Sequence, residues 1–498
     1  MNILNLLILI PLVTSLAVIG AQNNRHIKRI ALGGSMVQLL AAVWITLLYR
    51  SMRAAGETAQ MLFRSTTEWF SPLHINYAIG VDGISLVMIL LTAMVVVAGV
   101  LVSWNIEKQV KEFFFFLIFL SLGAYGFFIS LDLFTLFFFL ELSVIPKYLL
   151  IGIWGSGKKE NNAMKLALML MGGSTLVFLG IIGLYFTTGI YGGHYTWNIQ
   201  EIAQMQLPLA AQTIFYLLTF TGFGVFTAMF PFHTWAPDGH SSAPTAASMF
   251  LAGISMKLGG YGLLRVSTWL FPDAASQYAW IFIILASIAI FYGAFATLMQ
   301  KDLKYMNAYS SVSHCGFVVL GVAMLTKTAF TGAVMQMVSH GIMTALFFAA
   351  IGMIYERAHT RQANELGGML SQMPFIGTVF FIAGLTSLGL PGFSGFVSEM
   401  TIFVGSWERE GFFFKLATVL AAASIVITAV YILRAIGMAI WGTVTNKEFE
   451  SLRDASWNER FAALLLVAGI IFIGLAPFWL TSLIDADVLH IFRRVALQ

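Results

Sequence analysis

Long apolar runs separated by short polar stretches fill almost the whole chain. A bilayer core about 30 Å thick takes roughly 20 apolar residues per helical span. Fourteen segments meet that length, over residues 3–20, 30–49, 80–103, 113–129, 131–153, 165–189, 211–230, 244–267, 279–299, 303–324, 329–354, 374–405, 412–441 and 461–482. The pattern predicts an all-α membrane protein with about fourteen transmembrane helices. The first run has its basic cluster (Arg25, Lys28, Arg29) behind it and none in front, so it reads as a retained span and not as a cleaved leader.

Two stretches interrupt this pattern with residues that a helix does not accommodate. They are PFHTWAPDGHSSAP at 231–244 and GLPGFSG at 389–395. Proline removes an intrahelical hydrogen bond, and at membrane depth the freed carbonyls are tolerated only inside protein or beside a water-filled cavity. Both breaks are therefore predicted to line an internal path. Pro231 follows Phe113, the start of the fourth span, by 118 residues, and Pro391 follows Trp280, near the start of the ninth, by 111. Breaks at matching places in two five-helix units mark an inverted repeat. The expected organisation is three helices over 1–112, a first five-helix repeat over 113–267, a second over 279–441, and a last helix and tail over 442–498.

Composition narrows the function. Hydrophobic residues make up 59% of the chain and charged ones 10%, against about 25% charged in a soluble domain. The net charge of +4 is small and its 27 Lys and Arg are scattered, which argues against a nucleic-acid partner and leaves the lipid bilayer as the surrounding. Fourteen basic residues fall in one alternate set of loops, from Arg25 to Arg460, and seven in the other. Cytoplasmic loops are the richer in Lys and Arg, so both termini are expected outside, in the periplasm of a bacterial cell. The single cysteine, Cys315, rules out a disulfide, an iron–sulfur cluster or a cysteine zinc site built by this chain alone. Electrons, if involved, travel elsewhere.

Ionisable residues inside the spans carry the chemistry. A charge at the bilayer centre costs about 2.5 to 3.5 kcal/mol on insertion scales, so one that persists pairs or faces water. Glu141, Lys257, His314, His340 and Glu399 all fall mid-span on different helices, the arrangement of a horizontal relay. Histidine, with an unperturbed pKa of about 6.5, suits proton exchange, although it also serves as a plain interhelical hydrogen-bonding group. Lys165 and Arg265 lie near span ends and read as interfacial anchors; Arg434 fits either anchoring or the relay's exit. Asp82 and Asp132 open spans and read as helix caps. Residues 152–159 (GIWGSGKK) fail as a phosphate loop, because Lys159 stands where Ser or Thr is required and no strand precedes them. His233 and His240 flank the first break without a third ligand to suggest a metal.

Three longer stretches are more specific: HTWAPDGHSSAPTAASMFLAGISMKLGGYGLLR, QKDLKYMNAYSSVSHCGFVVLG and GLPGFSGFVSEM. Together they resemble the antiporter-like membrane subunits of proton-pumping NADH:quinone oxidoreductase, respiratory complex I, over essentially the whole chain. Within that family the second broken helix carries glutamate in the M type (mitochondrial subunit 4) and lysine in the L and N types, so Glu399 points to the M type. The resemblance implies a translocase subunit without redox chemistry of its own, with NADH, FMN, iron–sulfur clusters and quinone on other subunits and with neighbouring antiporter-like subunits as partners. It further implies that Glu141 modulates a lysine, that Lys257 connects the halves, that His314 and His340 relay, and that Glu399 is the terminal proton site.

One position departs from the pattern. The family's central lysine, shortly before FPFHTWAPD, is replaced by Phe226, and Lys147 appears instead six residues after Glu141, beyond Pro146. Either Lys147 returns its ammonium to the same cavity as a sixth relay group, or it snorkels to the membrane surface. Six residues of ideal helix give about 9 Å of rise and a large rotation, so direct contact with Glu141 is not expected. A subunit of a multi-subunit sodium/proton antiporter, or of a membrane-bound hydrogenase, would share these spans and charges and stands as the alternative.

Overall fold

The computed structural model describes residues 2–444 and 446–496; Met1, Leu497 and Gln498 at the predicted outer termini, and Thr445, lie outside the described residues. Most of the rest is helix. The chain runs through α1 (Leu6–Gly20) and α2 (Asn24–Ala54), a two-stranded antiparallel hairpin of β1 (Leu62–Phe70) and β2 (Ile75–Val81), then α3 (Gly83–Val102) and α4 (Val110–Ile129). Next come α5 (Leu133–Leu142), α6 (Val144–Trp154), α7 (Lys159–Gly192), the short α8 (Ile199–Ile202), α9 (Leu209–Phe226) and α10 (Trp235–Ser242). One continuous crossing joins α11 (Thr245–Phe250) and α12 (Met256–Gly262) through π-helical turns at Leu251–Ser255 and Leu263–Thr268. Then follow α13 (Pro272–Met299), α14 (Leu303–Ala323), α15 (Lys327–Ala358), the short α16 (Met369–Gln372), α17 (Pro374–Ser387), α18 (Ser394–Glu408), α19 (Phe412–Ala435), α20 (Trp457–Leu475) and α21 (Pro477–Ala496).

Among the described residues, eleven helical runs, α5 with α6 counted as one, are long and apolar enough to cross a membrane. Three more predicted spans fail that measure for physical reasons. The eighth is divided by its π turns, the tenth (α14) is rich in Lys, Asn, Ser and His, and the twelfth is cut in two between α17 and α18. The seventh span corrects the sequence reading, which ended it at 230. After a break at 227–234, α10 completes the crossing, and the Ser242 carbonyl meets the 155–158 loop by accepting from Ser156 N at 2.8 Å. Because α9 and α10 run in one direction and α17 and α18 in the other, the two broken helices are inverted relative to each other.

The loops sort onto two faces. The β-hairpin, which occupies part of the 51–76 loop, packs on the 130–132 and 193–198 turns, with Ile79 bridged to Ser130 and Asp132 to Asn198. On the other face Asp302 bridges Gln362, and Arg357 donates two bonds to Glu459, which also closes the capping box of α20 with Ser456. Asn2 bonds the Phe63 carbonyl and Arg494 the Trp269 carbonyl, so both ends of the described chain lie on the hairpin face.

Arg265 is not the interfacial anchor its position suggested. It is 2% exposed, lies between the rings of Tyr261 and Trp269, and pairs with fully buried Asp82. A carboxylate already held at the start of α3, where Asp82 accepts from Ser85 N at 2.8 Å, compensates the buried guanidinium. Beside them Asp487 of α21 accepts from Gly83 N at 2.7 Å and from the Tyr49 hydroxyl at 3.3 Å. This knot fastens α2, α3, the eighth span and α21. Arg434, by contrast, is exposed and donates to the Leu298 carbonyl, as an anchor does. Asp82→Ala leaves a buried cation unpaired and should lower stability by about 3–5 kcal/mol, read as a fall in the unfolding midpoint of the purified assembly, whereas Asp82→Leu combined with Arg265→Met should regain most of it.

Candidate functional site

In the first half, α5 ends at Leu142 and α6 starts at Val144, because Pro146 cannot donate to the carbonyl four residues back. The interruption re-aims the next turn. Lys147 is 1% exposed and its ammonium donates back to Ser143 Oγ at 3.0 Å, one turn nearer to Glu141 along the chain. As the helical geometry implied, Glu141 and Lys147 form no ion pair among the described residues, although they interact electrostatically. Glu141 is half-buried beside Ser174 of α7, with one carboxylate oxygen lacking a hydrogen-bond partner. Phe226, at the end of α9, is fully buried against the helix of Lys257 at Gly259.

The other four predicted residues, Lys257 near the end of the first unit and His314, His340 and Glu399 in the second, form a continuous row. Lys257 is 1% exposed and, among the described residues, has no carboxylate partner. Its ammonium donates to the Ala252 carbonyl at 2.6 Å and to His340 Nδ1 at 2.7 Å. Ala252 belongs to the π turn just before it, and a widened turn leaves a carbonyl free for such a bond. With Nδ1 accepting, the His340 proton sits on Nε2, which has no partner. The His340 and His314 rings stack at 5.2 Å between centroids, and His314 Nδ1 lies 3.2 Å from Glu399 Oε1. On its other side His314 Nε2 meets Ser387 Oγ at 3.0 Å. The result is a buried row Lys257, His340, His314, Glu399 across four helices.

The second break builds the far end of the row. Two glycines are required there. Gly389 has φ +72°, and a Cβ on it would come within 2.8 Å of Glu399 Oε2; a Cβ on Gly395 would sit on the Thr386 carbonyl oxygen. Small hydroxyls line the approach: Ser339 bonds Ser394, and Ser398 bonds Gln336, which itself lies 3.4 Å from His314. Sequence reasoning missed these lining groups, since a lone serine or glutamine in an apolar span costs too little to stand out. Their only signal is the serine repeat of GFSGFVSEM. Among the described residues no hydrogen bond joins Lys147 to Lys257.

Comparison with known proteins accounts for this geometry. The transmembrane family described as NADH:quinone oxidoreductase/Mrp antiporter matches residues 130–428, the stretch that holds both broken helices and all six ionisable residues. The chain belongs to that family. NADH-quinone oxidoreductase subunit M of Rickettsia prowazekii is 34% identical, over 95% of each chain. A chain of the respiratory complex I from Thermus thermophilus with bound NADH has the same fold, with TM-score 0.89 and 22% identity over 99% of this chain and 100% of that one. So has a chain of the Mrp complex from Dietzia sp. DQ12-45-1b, with TM-score 0.85 and 19% identity over 99% and 97%.

Within this antiporter-type scaffold the Gly389 contact is open to test. Gly389→Ala and Gly392→Ala both place a side chain at positive φ, +72° and +96°, but only the first meets the Glu399 carboxylate. Each should lose about 1–2 kcal/mol of stability. Ion transfer driven by the assembled complex should fall further for Gly389→Ala than for Gly392→Ala, as measured by the potential developed across proteoliposomes.

Proposed function

We propose that this chain is the M-type proton-translocating membrane subunit of an NADH:quinone oxidoreductase, the counterpart of subunit 4, and that quinone reduction elsewhere in the complex drives it. The contact row from Lys257 to Glu399 carries this reading. A buried lysine without a carboxylate, bonded to a histidine nitrogen, is poised to give up a proton; apolar packing would hold these helices together at less cost. The name and near full-length match of the Rickettsia subunit support the M type, as does glutamate in the second broken helix.

The chemistry is proton transfer alone. Lys257 Nζ gives a proton to His340 Nδ1, and His340 then releases the one on Nε2 toward His314. The His314 Nδ1 proton moves to Glu399 as the ring takes up the incoming one. A carboxylate near an ammonium holds the ammonium's proton, and loosening that influence releases it; Glu141 stands in that relation to Lys147, which feeds Lys257 through buried water. Moving one charge against 100 mV takes about 2.3 kcal/mol, within what such rearrangements supply. Electron carriers and quinone belong to other subunits, and neighbouring antiporter-like subunits flank this one. In this reading the units 113–267 and 279–441 are the two working halves, with 1–112 and 442–498 holding them together. The complex sits in a bacterial inner membrane with the hairpin face and both termini toward the periplasm.

The experiment is a mutational comparison in proteoliposomes that hold the intact oxidoreductase. Glu399→Gln should sharply reduce the protons moved per quinone reduced while NADH oxidation in the uncoupled state persists. Normal proton stoichiometry with normal quinone reduction in that variant would sink the assignment. Lys147→Ala should show the same defect, and full pumping would return Lys147 to a purely structural role.

A further inference from the structure

Among the buried groups left unused by this mechanism are Lys304 and His240, and both lie where the row could meet water. A cavity of about 350 Å³ on the face opposite the hairpin has Glu107, Lys108, Ser156, Ala243, Lys304 and Glu356 in its wall. Lys304 is only 3% exposed, and its ammonium donates to the Ala243 carbonyl at 2.8 Å, just past the end of α10. Among the described residues no carboxylate pairs with it; the nearby Asp302 is taken by Arg361. His240, in α10, is fully buried with neither ring nitrogen bonded, and it feels the charges of both Lys304 and Lys257.

From Lys304 a polar stripe descends α14. Asn307, Ser311 and His314 follow at three, seven and ten residues, which puts them on one helix face, and all are buried. Asn307 Nδ2 lies 3.4 Å from Thr344 Oγ1 on α15, and the Ser311 and Thr344 hydroxyls are 3.2 Å apart. Thr344 is one turn from His340. The stripe therefore starts at a cavity wide enough for water and ends about one helical turn from each of the two histidines of the row. Apolar residues would pack this α14 and α15 seam without the desolvation that four polar groups incur.

We propose that Lys304, Ser311 and Thr344, with Asn307 orienting the Thr344 hydroxyl and His240 alongside, form a proton access branch from this cavity into His314 and His340. The branch rests on the proton-transfer reading above. When Lys304 stands as the amine, a hydronium ion in the cavity gives it a proton, an O–H bond breaking as the N–H bond forms and a water molecule remaining behind. It then releases a proton to the hydroxyl ladder, where each oxygen accepts one and passes on its own, and the histidines receive it while Lys304 returns to the amine. This supplies protons directly to the second half, whose connection to the first contains Phe226 in place of a lysine.

The competing role for Lys304 is to cap α10 through the Ala243 carbonyl. Lys304→Arg separates the two, because a guanidinium still donates to that carbonyl but does not give up its proton. In proteoliposomes with the intact complex, Lys304→Arg and Thr344→Val should both lower the protons moved per quinone reduced to the level of Glu399→Gln, at normal complex content. Wild-type stoichiometry in either well-assembled variant overturns the branch. If Lys304→Arg does not assemble, Thr344→Val, which removes one hydroxyl, decides alone. Glu399→Gln pumping normally would instead bring down the parent reading; a defect in Glu399→Gln with both branch variants normal brings down only the branch.

Discussion

A buried ammonium with no counter-ion among the described residues is the constraint on which this molecule turns. Lys257 keeps two acceptors, a backbone carbonyl and an imidazole nitrogen, and neither is an anion. Removing such a charge from water costs several kcal/mol even after relaxation, so the site is tolerable only if the proton can leave or water can approach. The neighbouring structure follows from that need. A π turn frees the Ala252 carbonyl, α15 offers His340, and the row continues to a carboxylate at the second break. By contrast, another deep cation, Arg265, is matched by Asp82 and fastens helices together. The two sites show both fates of buried charge in one chain: paired and structural, or unpaired and available for exchange.

Helix discontinuity supplies the rest. In α9 and α10, and again in α17 and α18, the backbone gives up regular hydrogen bonding at mid-depth, and side chains recover part of it, as when the Trp235 indole donates to the Val225 carbonyl at 2.9 Å. The interruption between α5 and α6 does the same on a smaller scale and turns Lys147 inward. Discontinuities in an inverted pair, with ionisable residues at each and between them, give a polar layer across a molecule whose surface is apolar.

Much of this was legible in the sequence, for a reason that also sets its limit. Charges and prolines in apolar runs are costly, so Glu141, Lys257, His314, His340, Glu399 and both breaks stand out by depth alone. Depth does not give direction around the helix axis. The sequence therefore could not show that Lys257 meets His340 and not Glu141, that Arg265 turns inward to Asp82, or that Lys304, near a span end, is buried. Groups with a small desolvation cost, such as Gln336, Ser387 and Thr344, left almost no trace, and the family resemblance marked the large charges without ordering them.

Light-free infrared difference spectroscopy of the working complex tests the central claim most directly, because it sees a carboxyl group gain and lose its proton. The account predicts a carboxyl stretching band that appears and decays during NADH-driven turnover and is missing in Glu399→Gln. A Glu399 carboxyl whose protonation stays fixed throughout turnover, with pumping intact, would contradict it.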